Sequence, residues 1–192
     1  MKRLIFLLLW GLSFCAHAFV ILPQGHTPQM GSQTRTFTVA NQTSSGQTAW
    51  ANPANAEVLD GVYATVTGSG SVLSETLELS GASFSVPPEA TITGFQVVVT
   101  RHYRGAETAI EGVISLEKGG AGASSTAADT VAWLTTDDSI NSGGSTDLWG
   151  LPWAPSNVNS ASFGVNYSVN GTGWSTTTAY IDCITVTVYY TV

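Results

Sequence analysis

Two alternating segments near the carboxyl end decide the fold: residues 163–170, FGVNYSVN, and residues 177–190, TTAYIDCITVTVYY. In the first segment, apolar side chains occupy the odd-numbered positions, and glycine, asparagine or serine occupies the even ones. In the second, Ile184, Val186 and Val188 alternate with threonine or tyrosine. Successive side chains of a β-strand point to opposite faces, so each segment predicts a strand with one face on a core and the other toward water.

Similar but shorter segments occur throughout the chain, separated by Gly, Pro, Asn and Ser, and no stretch has helical periodicity. They cover residues 62–67, 82–86, 92–104 and 109–118. Short strands at this spacing predict an all-β fold, an antiparallel β-sandwich of the jelly-roll-like kind. A domain of about 140 residues can bury such a core without metals or disulfides.

The amino terminus has the three parts of a secretory signal peptide. Lys2 and Arg3 precede an apolar run at residues 4–12, and Ala16 and Ala18 flank one residue in the small-x-small pattern of a cleavage site. The run is shorter than the ~20 residues that cross a bilayer. We therefore expect cleavage after Ala18 and export to the periplasm or the extracellular space, with no membrane span afterwards.

The charge and the cysteine count limit the partners. The net charge is −7, and cleavage of residues 1–18 removes two basic residues and no acidic one, which leaves −9. Nucleic-acid binding needs clustered Lys and Arg, so DNA and RNA are excluded as partners. Cys183 is the one cysteine that remains after cleavage. It is either a buried strand residue or half of an intermolecular disulfide.

Composition predicts three segments. Residues 1–18 are the signal peptide, residues 19–48 form a polar leader or stalk with at most one strand at residues 34–39, and residues 49–192 form the sandwich. Within the sandwich, Arg101 and Asp182 each fall on the apolar face of a strand. A charge at such a position needs a partner, so the two either form a structural ion pair at one rim or lie in solvent past the core edge.

Several short motifs together resemble a jelly-roll-like module found in bacteriophage virion proteins and in exported bacterial surface proteins. They are Trp50, Asn52, Pro53, Asn55 and Ala56; residues 60–64 (DGVYA); Val86 and Pro87; residues 90–95 (ATITGF); residues 147–150 (DLWG) with Trp153 and Asn157; residues 163–165 (FGV); residues 180–182 (YID); and the strand at 186–190. The resemblance spans most of residues 49–192 and implies a structural or attachment role without catalytic residues. The signal peptide is a departure, because most virion proteins lack one.

Motifs for catalysis are weak. After cleavage only His26 and His102 remain as histidines, and no G-x-S-x-G motif is present. Glu107, Glu111 and Glu117 share a parity opposite to that of the apolar residues around them, which predicts that they face solvent. We therefore expect a protein that is not an enzyme.

Two kinds of binding site can be drawn from the side chains. Oxygen ligands for calcium, the one cofactor considered, come from Asp137, Asp138 and Asp147, although the spacing does not match an EF-hand loop. A sugar site would use the aromatic faces of Trp149, Trp153 and Trp174 with the amide of Asn157. For Trp149 a core position is favoured, whereas the glycines around Trp174 predict that it is exposed.

The function predicted from the sequence is that of a non-enzymatic exported structural or attachment module on a cell surface or a virus particle. A carbohydrate-binding module that uses exposed Trp and Asn side chains is the alternative, with a glycan or a surface protein as partner. A second alternative is a fibre or homo-oligomer built by strand exchange, in which the leader strand completes the sheet of a neighbour.

Overall fold

The computed structural model describes residues 27–43, 47–119 and 128–192. The signal peptide predicted at residues 1–18 lies outside the described residues. The strands are β1 (Met30–Arg35), β2 (Val39–Gln42), β3 (Ala64–Leu73), β4 (Leu77–Ser80), β5 (Thr91–Arg104), β6 (Ala109–Glu117), β7 (Asp138–Gly144) and β8 (Gly164–Thr191). The helices are a 3-10 turn at Pro53–Ala56 and the short α1 at Pro155–Val158. Among the described residues, no helix is long and apolar enough to cross a membrane.

Strand β8 connects the fold, because five strands pair with it. Residues 164–171 of β8 pair with β4 and β6, residues 178–191 pair with β5 and β1, and β3 pairs along residues 170–181, all antiparallel. Beyond these, β2 extends β4 and β7 extends β5. The prediction of an all-β, antiparallel sandwich is confirmed, and the two segments first predicted as separate strands are the two halves of β8.

The alternation of β8 places its apolar side chains in one core. Val165, Tyr167, Val169, Val186 and Val188 are all fully buried and belong to the same hydrophobic cluster. The strands β4 and β7 were not predicted, and residues 82–86, predicted as a strand, form none. In that segment the backbone is irregular, yet Phe84 and Val86 are buried. The alternating pattern therefore reflects burial and not strand structure.

The leader differs from its prediction as a stalk. Residues 30–42 contribute β1 and β2 to the sandwich, and Phe37 between them is 2% exposed. Strand β1 pairs with residues 186–191 of β8 in the same chain. The polar composition of this segment misled the prediction, because β1 and β2 each have one partner strand and remain largely exposed on their outer face.

Cys183 lies inside the sandwich as a free thiol, 2% exposed. Burial, followed by the carboxylates of Asp182 and Asp60, raises the pKa of the thiol to about 11. The thiolate is the reactive form of cysteine, so a thiol in this environment is inert at neutral pH.

We expect native protein to leave Cys183 unmodified by iodoacetamide at pH 8 and to run as a monomer in non-reducing electrophoresis. The same protein in denaturant is the control, and there mass spectrometry should find a carbamidomethyl group on Cys183. Rapid modification of the native chain, or a disulfide-linked dimer, would contradict the buried position.

Candidate ligand-binding cleft

A surface cleft of about 230 Å³ opens where three segments distant in sequence meet. Its lining residues are Tyr63, His102, Arg104, Thr135, Thr136 and Asp137. We call it the Asp137 cleft. Tyr63 ends the loop before β3, His102 and Arg104 end β5, and the others end the loop before β7. Because Tyr180 of β8 pairs with Thr65 on one side and His102 on the other, β8 brings the first two segments together.

The Asp137 carboxylate organises the cleft. Its Oδ1 lies 2.7 Å from Nδ1 of His102, and its Oδ2 accepts a hydrogen bond of 2.9 Å from the Tyr63 hydroxyl. The side chain of Asp137 nevertheless remains 45% exposed, whereas that of His102 is 5% exposed. One carboxylate thus fixes two rings and still presents an open edge to solvent.

The rings of the cleft are packed against one another. His102 stacks on Tyr180 at 4.4 Å between centroids with an interplanar angle of 9°, and Tyr63 meets His102 edge-on at 4.8 Å. The guanidinium of Arg104 lies 5.8 Å from the centroid of Tyr180. Desolvation, and then the hydrogen bond to Asp137, raises the pKa of the Tyr63 phenol, which therefore stays protonated as a donor. The cleft offers aromatic edges, a carboxylate, a guanidinium and two threonine hydroxyls.

Two loops flank the cleft, and a buried carboxylate holds each of them. We call them the 57–63 loop and the 128–137 loop. Asp182, 3% exposed, accepts the backbone N–H groups of Asp60 and Gly61 at 3.1 Å each. Glu111, also 3% exposed, accepts the N–H of Asp129 at 2.7 Å. Both loops at the walls of the cleft are therefore hydrogen-bonded to buried side chains of the sheet.

The predicted ion pair between Arg101 and Asp182 is wrong. Arg101 is buried but its guanidinium pairs with Glu111, while Asp182 binds the 57–63 loop. The cause is an irregularity in the pairing of β5 with β8: Thr100 lies opposite Cys183 and Arg101 opposite Ile181, so Asp182 has no residue across from it.

The prediction that Glu111 faces solvent is also wrong. Strand β6 has a register shift between Glu111 and Val113, which reverses the side-chain parity along the strand. The Glu111 carboxylate consequently points inward, where it also accepts a hydrogen bond of 3.3 Å from the hydroxyl of Tyr167.

Trp149 and Trp174, predicted as candidates for a sugar site, are each 2% exposed. The indole N–H of Trp149 donates to the carbonyl of Phe95 at 3.1 Å, and that of Trp174 donates to the carbonyl of Thr108 at 3.0 Å. The prediction that Trp174 is exposed is wrong, because Gly171 makes room for its ring: a Cβ there would occupy the space of the indole.

Trp153 and Asn157 are half-buried and used within the fold. Trp153 packs on Phe95 at 4.8 Å and donates its N–H to the carbonyl of Leu148 at 2.9 Å. The amide oxygen of Asn157 accepts the N–H of Ala154 at 2.9 Å, at the start of α1. The sugar-binding hypothesis therefore loses the four residues that the sequence offered for it.

The three aspartates predicted as calcium ligands do not converge. Asp137 and Asp138 lie at the start of β7, near Arg101, whereas the carbonyl of Asp147 accepts the N–H of Phe95 beyond the other end. At the usual rise per residue, the length of β7 separates them by about 20 Å, far beyond the span of one calcium ion. In the described part of the chain, no three His, Cys, Asp or Glu side chains are grouped to hold a metal ion.

Sequence reasoning missed Tyr63, Arg104 and Tyr180 as site residues, named His102 only as one of two histidines without a catalytic motif, and considered Asp137 as a calcium ligand. A local signal did exist, since each of three strands, or the loop next to it, has an aromatic or charged residue at one end. Its meaning depends on the register with β8, which brings those ends together.

Comparison with known proteins does not assign a family. No protein-family model matches the chain, and no curated protein matches it. Among solved structures, one described as "CBM4 structure and function" is similar with a TM-score of 0.38 and 12% sequence identity, over 81% of this chain and 93% of that one. At this TM-score the match adds nothing to the fold, which is established by the strand pairing itself.

Proposed function

We propose that the chain is an exported, non-catalytic attachment module, displayed on a cell surface or a virus particle, that binds a carbohydrate in the Asp137 cleft. The observation that carries the proposal is the double role of Asp137, which fixes the rings of Tyr63 and His102 and keeps 45% of its side chain exposed. Sugar sites combine aromatic surfaces with a few fixed polar groups that bind hydroxyls.

The surroundings of the cleft favour a neutral sugar. Arg104 is the one exposed cation among the lining residues, which also include the carboxylate of Asp137, in a chain of net charge −7. An anionic sugar would meet repulsion both from Asp137 and from the whole chain. Hydroxyl groups, in contrast, can accept from Arg104 and donate to Asp137.

A non-catalytic role is supported by the packing of His102. Asp137 and the rings of Tyr63 and Tyr180 surround this side chain, and no serine, threonine or cysteine among the described residues hydrogen-bonds to it. A nucleophile next to the imidazole is what a Ser-His-Asp mechanism needs. The hydrogen-bonded pair of His102 and Asp137 therefore serves to position rings.

The proposal is tested by an array of neutral oligosaccharides, followed by calorimetric titration of the best ligand. We expect Asp137→Ala to weaken binding about tenfold or more, because it removes one contact to the sugar and releases two rings. Tyr63→Phe, which loses the hydroxyl alone, should weaken binding by a smaller factor.

Asp138→Ala is the matched control, since it removes the neighbouring carboxylate without touching the cleft lining. It should bind like the wild type. An array without ligands, or equal affinities for the wild type and Asp137→Ala, would refute a sugar site in this cleft.

A further inference from the structure

Asp182 is a buried carboxylate that takes part in no ion pair of the described part of the chain. Its hydrogen bonds go to the backbone of the 57–63 loop. Oδ1 accepts the N–H groups of Asp60 and Gly61 at 3.1 Å each, and Oδ2 accepts that of Gly61 at 3.2 Å. A buried charge without a counter-charge is costly unless such hydrogen bonds compensate it.

The two donors lie on the surface, although their acceptor lies inside. Asp60 and Gly61 are exposed residues, and at an exposed position water can bond to a backbone N–H. An apolar residue in place of Asp182 would therefore leave no buried donor without a partner. What the carboxylate adds is a fixed path for the loop.

The 57–63 loop connects two neighbouring contacts with β8. Glu57 forms an antiparallel bridge to Cys183, and Ala64, the first residue of β3, lies opposite Ile181. Asp182 is the residue between these two partners, so the loop begins and ends on either side of it along β8. The sheet holds the two ends of the loop, and Asp182 holds its middle.

The loop leads directly to the Asp137 carboxylate. Asp60 Oδ1 accepts the N–H of Val62 at 2.9 Å, which fixes the turn that follows the contact with Asp182. The next residue is Tyr63, whose hydroxyl donates to Asp137 at 2.9 Å. A short series of hydrogen bonds and peptide units thus connects the buried carboxylate with the exposed one.

We propose that Asp182 is a positioning residue of the Asp137 cleft, which sets the affinity for the sugar by fixing the loop that places the Tyr63 hydroxyl on Asp137. This inference rests on the proposed function and adds a residue that does not touch the ligand. Asp182 is absent from the lining of the cleft, so its effect on a neutral sugar passes through the loop.

The test is a double-mutant cycle of Asp182→Asn and Tyr63→Phe, measured by calorimetric titration with the neutral oligosaccharide that the array selects. The amide keeps the size of the side chain but loses the charge and one of the two acceptor oxygens. We expect Asp182→Asn to weaken binding about three- to tenfold, the value of one hydrogen bond. In the Tyr63→Phe background, which lacks the hydroxyl, the same change should weaken binding less than about twofold. If Asp182→Asn does not fold, Asp182→Ser takes its place in the cycle.

A spectroscopic measurement follows the Tyr63 ring directly. In protein labelled with 3-fluorotyrosine, the fluorine resonance that disappears in Tyr63→Phe belongs to Tyr63. Asp182→Asn should shift this resonance and leave that of Tyr190, near the carboxyl end of β8, unchanged. An unchanged Tyr63 resonance would overturn the inference.

Thr187→Val is the matched control, because it removes another buried polar group of β8, a hydroxyl 2.8 Å from that of Thr34 and outside the cleft lining. It should bind the sugar like the wild type. If Asp182→Asn weakens binding equally in both backgrounds, or if the control weakens it as much, Asp182 has a general structural role and the proposed function stands. If the wild type binds no sugar, the proposed function fails, and the Tyr63 resonance alone decides whether Asp182 positions this ring.

Discussion

Glu111→Ala is expected to lower the free energy of unfolding by about 3–5 kcal/mol, because it leaves the guanidinium of Arg101 buried without a counter-charge. Arg101 is 1% exposed and lies under Trp133, with Cζ 4.8 Å from the ring centroid. The Glu111→Ala substitution also removes the acceptor of the Asp129 N–H, which should loosen the 128–137 loop. Urea denaturation at neutral pH measures the loss.

Glu117→Ala is the matched control for this prediction, since Glu117 is the last residue of the same strand and only half-buried. Its replacement should change the free energy of unfolding by less than about 1 kcal/mol. A loss in Glu111→Ala no larger than that of the control would show that the pair does not carry the stability assigned to it.

The apolar double variant Arg101→Met/Glu111→Leu should recover most of the loss. A buried ion pair is often replaceable by apolar residues of similar volume, because both charges have given up their hydration. In addition, Nε of Arg101 and Nε1 of Trp133 have no acceptor among the described residues, which lowers the net value of the polar arrangement. A double variant as unstable as Glu111→Ala would contradict this interpretation.

The pH dependence of stability provides a separate measurement on the same carboxyl. Burial is the main cause that raises the pKa of Glu111 above its usual value of 4.5. The native state therefore takes up this proton at a higher pH than the unfolded chain does. The stabilisation from that proton is complete below the pKa that Glu111 has in the unfolded chain. It is lost as the pH rises through the higher pKa of the folded protein. This segment of the pH profile should be absent in Glu111→Ala.

The sandwich was predictable from the sequence because alternation at period two follows directly from strand geometry. The same rule failed at Glu111 and at the Arg101–Asp182 pair, in each case beside a register shift. One extra residue reverses the parity of everything beyond it, and nothing in the local pattern marks the shift.

The candidate site was less predictable than the core. Tyr63, His102 and Asp137 come from three segments, and their proximity depends on the pairing of β3 and β5 with β8 and on the attachment of the 128–137 loop. Single-sequence patterns indicate faces within a strand but not the register between strands. The residues with the strongest local signal, the tryptophans, belong instead to the framework.

Trp149 is of a residue type that is common in sugar sites, but here the fold requires it. It takes a left-handed backbone angle, φ 54°, between Leu148 and Gly150, which turns its ring into the core beside Phe95. Gly143, with φ 78°, leaves the space that the indole nitrogen occupies, and a Cβ at that position would overlap both this nitrogen and the carbonyl of Phe95. The ring thus packs against both β5 and β7.

Trp149→Ala should therefore lower the free energy of unfolding by about 3–5 kcal/mol, the usual cost of truncating a buried aromatic residue. Trp149→Phe keeps most of the ring volume but loses the hydrogen bond to Phe95, so it should cost about 1–3 kcal/mol in urea denaturation. Trp153→Ala, at a half-buried position, should cost less than Trp149→Ala. The folded Trp149→Phe variant should bind the sugar proposed for the Asp137 cleft as tightly as the wild type does. A stable variant with weaker binding would make Trp149 a candidate binding residue again.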